Sequence, residues 1–206
     1  MFGIENYLGF VMAAILLNLT PGSDSMYIIT RSISQGSQAG FYSVLGIISG
    51  ILVHTLLAAL GLSIILANSP LAFMIVKYIG ASYLCYLGVK MLMSKQQPLI
   101  AESLQENEKS SSAKTLDHWQ IYKQGVLTNT FNPKVALFFL AFFPQFIDAS
   151  YAYSMVSFII LGLTFAVTGF IWCSCLALLA SKFSENLRKN PSIEVILNKI
   201  SGVVFI

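Results

Sequence analysis

The chain has 206 residues, 56% of them hydrophobic and only 10% charged, with a formal net charge of +3 and a mean hydropathy of +0.73. Soluble domains carry about 25% charged residues, which excludes a water-covered globule of this size. The basic residues are scattered at segment ends without a basic stripe, which excludes nucleic acid as a partner.

Residues 41–66 and 151–181 contain no Asp, Glu, Lys or Arg. Apolar runs beyond about 18 residues read as transmembrane helices. Lipid offers the backbone no hydrogen-bond partners, and these runs are too long and unbroken for barrel strands of about ten alternating residues. In chain order, the first span is expected at 4–34, with an interruption at Thr20-Pro21-Gly22-Ser23. Its start carries Glu5 and no basic leader, so it is taken as a span and not as a cleaved signal. The second span is expected at 39–66 and the third at 71–93. A polar segment follows, 94–118, rich in Ser, Gln, Glu and Lys and expected to be a mobile tether. The fourth span is expected at 119–147, interrupted at Asn132-Pro133, and the fifth at 151–181. A sixth begins near Ser192 and meets Ile206; it is short for a crossing of about 20 residues, so it is expected either to tilt against partners or to be cut short.

Lysine and arginine accumulate in cytoplasmic loops. Arg31, the central group Lys90, Lys95, Lys109, Lys114 and Lys123, and the late group Lys182, Arg188 and Lys189 all fall on one side of such a map. The opposite loops, Asn68-Ser69-Pro70 and Asp148-Ala149-Ser150, contain neither residue. Both termini are therefore expected outside and the 94–118 linker in the cytoplasm. Tyr7, Tyr151 and Tyr153 then sit in the outer aromatic belt and Trp119 in the inner one.

The expected fold is an all-α membrane protein of six transmembrane helices. Residues 1–93 form one three-helix repeat and 119–206 a second, joined by the 94–118 linker. Three crossings are an odd number, so the second repeat lies inverted. The first helix of each repeat is broken at a proline, Pro21 and Pro133. Proline lacks the backbone donor and clashes with the preceding turn, and irregular backbone at membrane depth survives only inside protein or along a cavity. Paired breaks in inverted repeats mark the substrate site of many secondary transporters. Two simple kinks are the plainer alternative.

Asp24 is the one acid expected deep in the membrane, where a charge costs about 2.5–3.5 kcal/mol and an ionisable residue is a functional candidate. The helix dipole favours its ionised form and desolvation opposes it. It could bind a substrate ammonium or a coupling proton, or it could simply cap the helix. Lys134 opens the helix after Pro133, where the dipole opposes a cation. A substrate carboxylate, an ion pair with Asp24, or snorkelling to the surface would relieve it. Asn18, Thr20, Asn129, Thr130 and Asn132 supply neutral donors and acceptors around the breaks, to substrate or to freed backbone. His54 continues the face of Gly46 and Gly50, a spacing that allows close helix approach. It is a proton-relay candidate, although an interhelical hydrogen bond is the simpler role. Cys85, Cys173 and Cys175 lie in apolar spans without clustered histidines, so no metal site or disulfide is expected. No HExxH, G-x-S-x-G or P-loop occurs, so no enzyme is expected.

Leu19-Thr20-Pro21-Gly22-Ser23-Asp24, Arg31-Ser32, Gly36, Ala39-Gly40, Gly46, Gly50, Val53-His54, Gly80-Ala81-Ser82-Tyr83-Leu84, Tyr86-Leu87-Gly88, Gly125, Asn132-Pro133-Lys134, Phe138-Phe139 and Pro144-Gln145-Phe146 together resemble the LysE/RhtB family of bacterial amino-acid exporters. The likeness covers nearly the whole chain. It departs at Ser23, where the family often has a second proline, and at the shortened last span. The resemblance implies a proton-coupled exporter of small amino acids or derivatives in the bacterial cytoplasmic (inner) membrane, without a cofactor. Its partners would be the amino acid, protons and lipid; a homo-oligomer is allowed but not specified. The candidate substrate residues around the breaks are Asn18, Thr20, Pro21, Gly22, Asp24, Asn129, Asn132, Pro133 and Lys134, with Asp24 and His54 as proton-coupling candidates. An exporter of a metal cation or other small ion is the alternative. It is disfavoured because the spans lack the carboxylates, thiols and imidazoles that cations need.

Overall fold

Two prolines and one glycine decide where the helices of this protein stop. A computed structural model describes residues 3–62, 117–148 and 155–182, with scattered helical positions between 71 and 89. Most of the expected third span, the linker up to residue 116 and the sixth span lie outside the described residues.

Helix α1 runs Tyr7–Leu19, α2 Ser23–Leu57, α3 His118–Thr130, α4 Pro133–Ala141 and α5 Met155–Lys182. A π-helical turn, Ala58–Leu62, extends α2, and a 3-10 turn, Phe143–Phe146, extends α4. No strand occurs among the described residues, only an isolated antiparallel bridge between Ile4 and Ile147. The breaks fall where proline removes a donor: α1 ends before Pro21, and α4 starts on Pro133 with Asn132 as its N-cap. Ser23 belongs to α2 and not to the first break.

The expected loop between spans one and two shrinks to a single residue. At 35 residues a straight α2 would be about 50 Å long, against about 30 Å of hydrocarbon. Gly36, at φ 83° and ψ −177°, divides it into limbs 23–35 and 37–57. That conformation is open almost only to glycine. The limbs fold together closely enough that Ser32 fills the space a side chain on Gly40 would need.

Residues Ser23–Gly61 and Met155–Lys182 are long and apolar enough to cross a membrane. The pair His118–Thr130 and Pro133–Phe146, bent by 48°, adds a third crossing if counted as one span. Helix α5 is apolar all round, which in a chain of this size means lipid on one side. Leu163, Val167, Ile171 and Leu178 are exposed on it, whereas Phe158, Leu161, Phe165, Cys173 and Ala177 are buried.

The core lies between α1, α4 and α5 and is largely aromatic. Phe10 meets Phe143 edge-on at 5.2 Å, Phe139 stacks on Phe143 at 4.1 Å, and Phe138 approaches Phe165 at 5.0 Å. Glu5 N donates to Phe146 O and Asp148 N to Gly3 O, both at 2.8 Å, which ties the start of α1 to the end of the α4 turn. At the other end, Tyr27 Oη donates to Ile121 O at 2.7 Å and Arg31 to Gln124 Oε1 at 3.0 Å. The first limb of α2 therefore runs alongside α3, while α1 packs along α5 and its start is tied to the turn after α4.

Candidate functional site: two proline breaks facing one cavity

Without an N–H on Pro21, the carbonyl of Leu17 loses the donor that a helix would supply four residues on. Thr20 N covers it partly, at 3.2 Å. A second donor comes from the other break: Lys134 Nζ lies 2.9 Å from Thr20 O and 3.4 Å from Leu17 O. Pro133 does the same to the carbonyl of Asn129. Asn132 N covers that carbonyl at 2.9 Å, and His54 Nε2 lies 3.2 Å from it. A carbonyl can only accept, so Nε2 carries the hydrogen. Each freed carbonyl thus takes one local amide and one distant side chain, and the two distant donors come from opposite parts of the chain.

Close helix contact makes this possible. A Cβ on Gly46 would strike the Tyr122 carbonyl and come 2.9 Å from Gly125 Cα. On Gly50 it would lie 2.6 Å from the Cβ of Asn129. The glycine face expected on the second span therefore packs on α3 and delivers His54 one turn further on, where its ring stacks on Phe139 at 5.5 Å. Helices approach this closely only where both surfaces are small.

Asp24 sits in the first turn of α2, but the N-cap there is Gly22, with no side-chain cap. Asp24 is 9% exposed. Its Oδ2 accepts from Asn129 Nδ2 at 2.9 Å, and its Oδ1 is buried without a partner. The capping role weighed from sequence is thus not the one it plays. Lys134 does not snorkel outward; it turns into the first break. Gly22 has an extended backbone that any residue adopts, and its smallness matters instead: a Cβ there would lie 3.2 Å from Lys134 Nζ.

The other sequence-predicted residues also gather here. Asn18 Nδ2 donates to Thr168 Oγ1 at 3.1 Å. Thr20 is buried and its hydroxyl bonds back to Leu16 O at 2.9 Å. Asn132 Oδ1 caps α4 through Lys134 N at 3.0 Å, while its Nδ2 is buried without a partner. Thr130 Oγ1 is likewise buried and unpartnered.

Asp24, Asn18 and Lys134 line one cavity of about 20 Å³ with Leu17, Ser25, Ile47, Ile51, Val135, Phe165 and Cys173. A water needs about 10–15 Å³ by this measure, so the cavity has room for about one. Sequence reasoning missed its apolar wall. Ile47 and Ile51 follow Gly46 and Gly50 by one residue, a spacing that would have pointed to them. Val135, Phe165 and Cys173 carry no local signal. Among the described residues no group of three or more His, Cys, Asp or Glu could hold a metal ion.

A helical membrane protein with a buried carboxylate and a part-buried ammonium beside two proline breaks belongs to the class of polytopic translocators. The chain is a member of the LysE type translocator family, whose model matches residues 15–206. It is 31% identical over 205 residues to the leucine efflux protein of Klebsiella pneumoniae, covering 100% of this chain and 93% of that one. The leucine efflux protein of Salmonella typhimurium is 28% identical over 205 residues, with the same coverage. An uncharacterized membrane protein of Bacillus subtilis, YrhP, is 28% identical over 203 residues, 98% of this chain and 96% of that one. No solved structure matches significantly.

Proposed function

We propose that the protein exports small amino acids or close derivatives from the cytoplasm in exchange for protons, across the bacterial cytoplasmic membrane. The carrying observation is that a buried carboxylate with one free oxygen, Asp24 Oδ1, and the Lys134 ammonium face one cavity between two breaks. Such a pair suits a zwitterion. The substrate ammonium meets Asp24. Its carboxylate meets Asn132 Nδ2 and the N–H of Lys134 left over after two of its three donors serve Thr20 O and Leu17 O. Leu17, Ile47, Ile51, Val135 and Phe165 favour an aliphatic side chain, and the family's leucine efflux proteins make leucine the first substrate to try.

The same reading takes residues 1–93 and 119–206 as inverted three-helix repeats with the 94–118 linker in the cytoplasm and both termini outside. The two crossed donors support it, because a pseudo-twofold axis in the membrane plane brings equivalent breaks face to face. A cavity with room for about one water is too small for an amino acid, so in this reading loading takes one repeat rocking against the other. A proton on Asp24 cancels its hold on the ammonium, so proton and substrate exclude each other and efflux couples to the gradient.

The test uses proteoliposomes preloaded with labelled leucine, with and without an imposed pH gradient. The Asp24→Asn variant keeps the shape but neither charge nor titration. Its efflux should fall by about tenfold or more, the cost of one lost charge interaction, and the residual rate should ignore the gradient. Undiminished, gradient-driven export from this variant would remove Asp24 from the coupling role.

A further inference from the structure

Of the two ionisable donors at the breaks, Lys134 reaches its carbonyls through a long flexible side chain, whereas His54 is held in place. Its ring is buried, stacks on Phe139 at 5.5 Å and points Nε2 at Asn129 O from 3.2 Å. Asn129 is the hinge of the site. Its carbonyl, short of the helical donor at Pro133, keeps one local amide, Asn132 N at 2.9 Å, and has room for a second donor; its side-chain amide is the only described hydrogen-bond partner of Asp24, at 2.9 Å. Asn129 is 0% exposed, so no water substitutes for a missing donor. Whatever holds the Asn129 backbone therefore sets where the amide, and with it the Asp24 carboxylate, comes to rest.

We infer that His54 is a positioning residue: it takes the place of the amide donor that Pro133 lacks, fixes Asn129 and thereby aims Asp24, without carrying the transported proton itself. The reason is geometric. Its Nε2 hydrogen is committed to a carbonyl that a proline has left short of its helical amide, as the Lys134 ammonium is to Leu17 O at the other break. The inference rests on the exporter reading above for what Asp24 does, but the His54 contact stands apart from it.

Glutamine carries an N–H at the reach of imidazole Nε2 and does not titrate; phenylalanine keeps the ring and loses the donor. The full-length protein in proteoliposomes is loaded with labelled leucine, and the wild type is compared with His54→Gln and His54→Phe across pH gradients. His54→Gln should export within about twofold of the wild type with the same gradient dependence, and His54→Phe should fall about tenfold or more. If His54→Gln fails like His54→Phe, or exports without responding to the gradient, His54 relays the proton and the inference is overturned. Full activity in His54→Phe overturns it too.

A second readout does not depend on transport. The chain has two histidines, so ¹⁵N-histidine labelling with a His118→Gln variant isolates the His54 signal. A neutral ring protonated at Nε2 is expected, and a ring protonated only at Nδ1 refutes the contact. Should the wild type move neither leucine nor any amino acid of a panel, the exporter reading falls, while the tautomer still decides whether His54 holds Asn129.

Discussion

Replacing Gly46 with alanine tests whether the α2–α3 contact governs the site. The added Cβ would run into the Tyr122 carbonyl and lie 2.9 Å from Gly125 Cα and 3.1 Å from Val126 N. All three are backbone atoms, so no side chain can rotate away and the helices must part by about 1 Å to restore contacts of roughly 3.5–4 Å. Overpacking of this kind costs about 1–3 kcal/mol. Alanine's better helix propensity returns about 1 kcal/mol, leaving a net loss of up to about 2 kcal/mol. At roughly 2–4 °C per kcal/mol for a chain of this length, the apparent melting midpoint in detergent should drop by up to about 8 °C. Transport should suffer more, because the His54–Asn129 contact is already 3.2 Å and lies two turns along the same seam. Under the proposed function, leucine efflux should fall about tenfold or more. The matching control is Gly61→Ala, where a Cβ meets nothing within 4 Å. A Gly46→Ala protein as stable and as active as the wild type, or a Gly61→Ala protein equally damaged, would refute the reasoning.

Gly36→Ala should destabilise by about 1–3 kcal/mol although its Cβ has open space, because the cost is the φ of 83°; thermal melting in detergent reads it. Tyr27→Phe leaves the packing intact and removes the 2.7 Å donor to Ile121 O, so a loss of about 1 kcal/mol in the same melt is expected. Asn129→Leu should keep the protein folded in the membrane yet, under the proposed function, abolish gradient-driven leucine efflux, since Asp24 loses its one described partner. Efflux assays on the reconstituted variant measure this, and normal transport would show that Asp24 needs no such support.

Much of this architecture is written along the chain. Uncharged runs announce the membrane helices, Pro21 and Pro133 mark the breaks because an imino nitrogen cannot donate, and the Gly46, Gly50, His54 spacing puts one helix face against a neighbour. All of these are properties of a residue and its near neighbours, so one dimension suffices to read them. The shrunken loop at Gly36 was less legible: glycine permits a positive φ without demanding it, and only the packing of Ser32 against Gly40 calls for it.

Partners of the freed groups are another matter. Nothing local says that Lys134 turns back to Thr20 and Leu17, that Asn129 holds Asp24 from 105 residues away, or that His54 serves the Asn129 carbonyl. Desolvation makes some partner obligatory for each group, and sequence alone registers that demand. Which donor meets it depends on where helices cross and how close their glycines let them come, and that is decided by the tertiary structure.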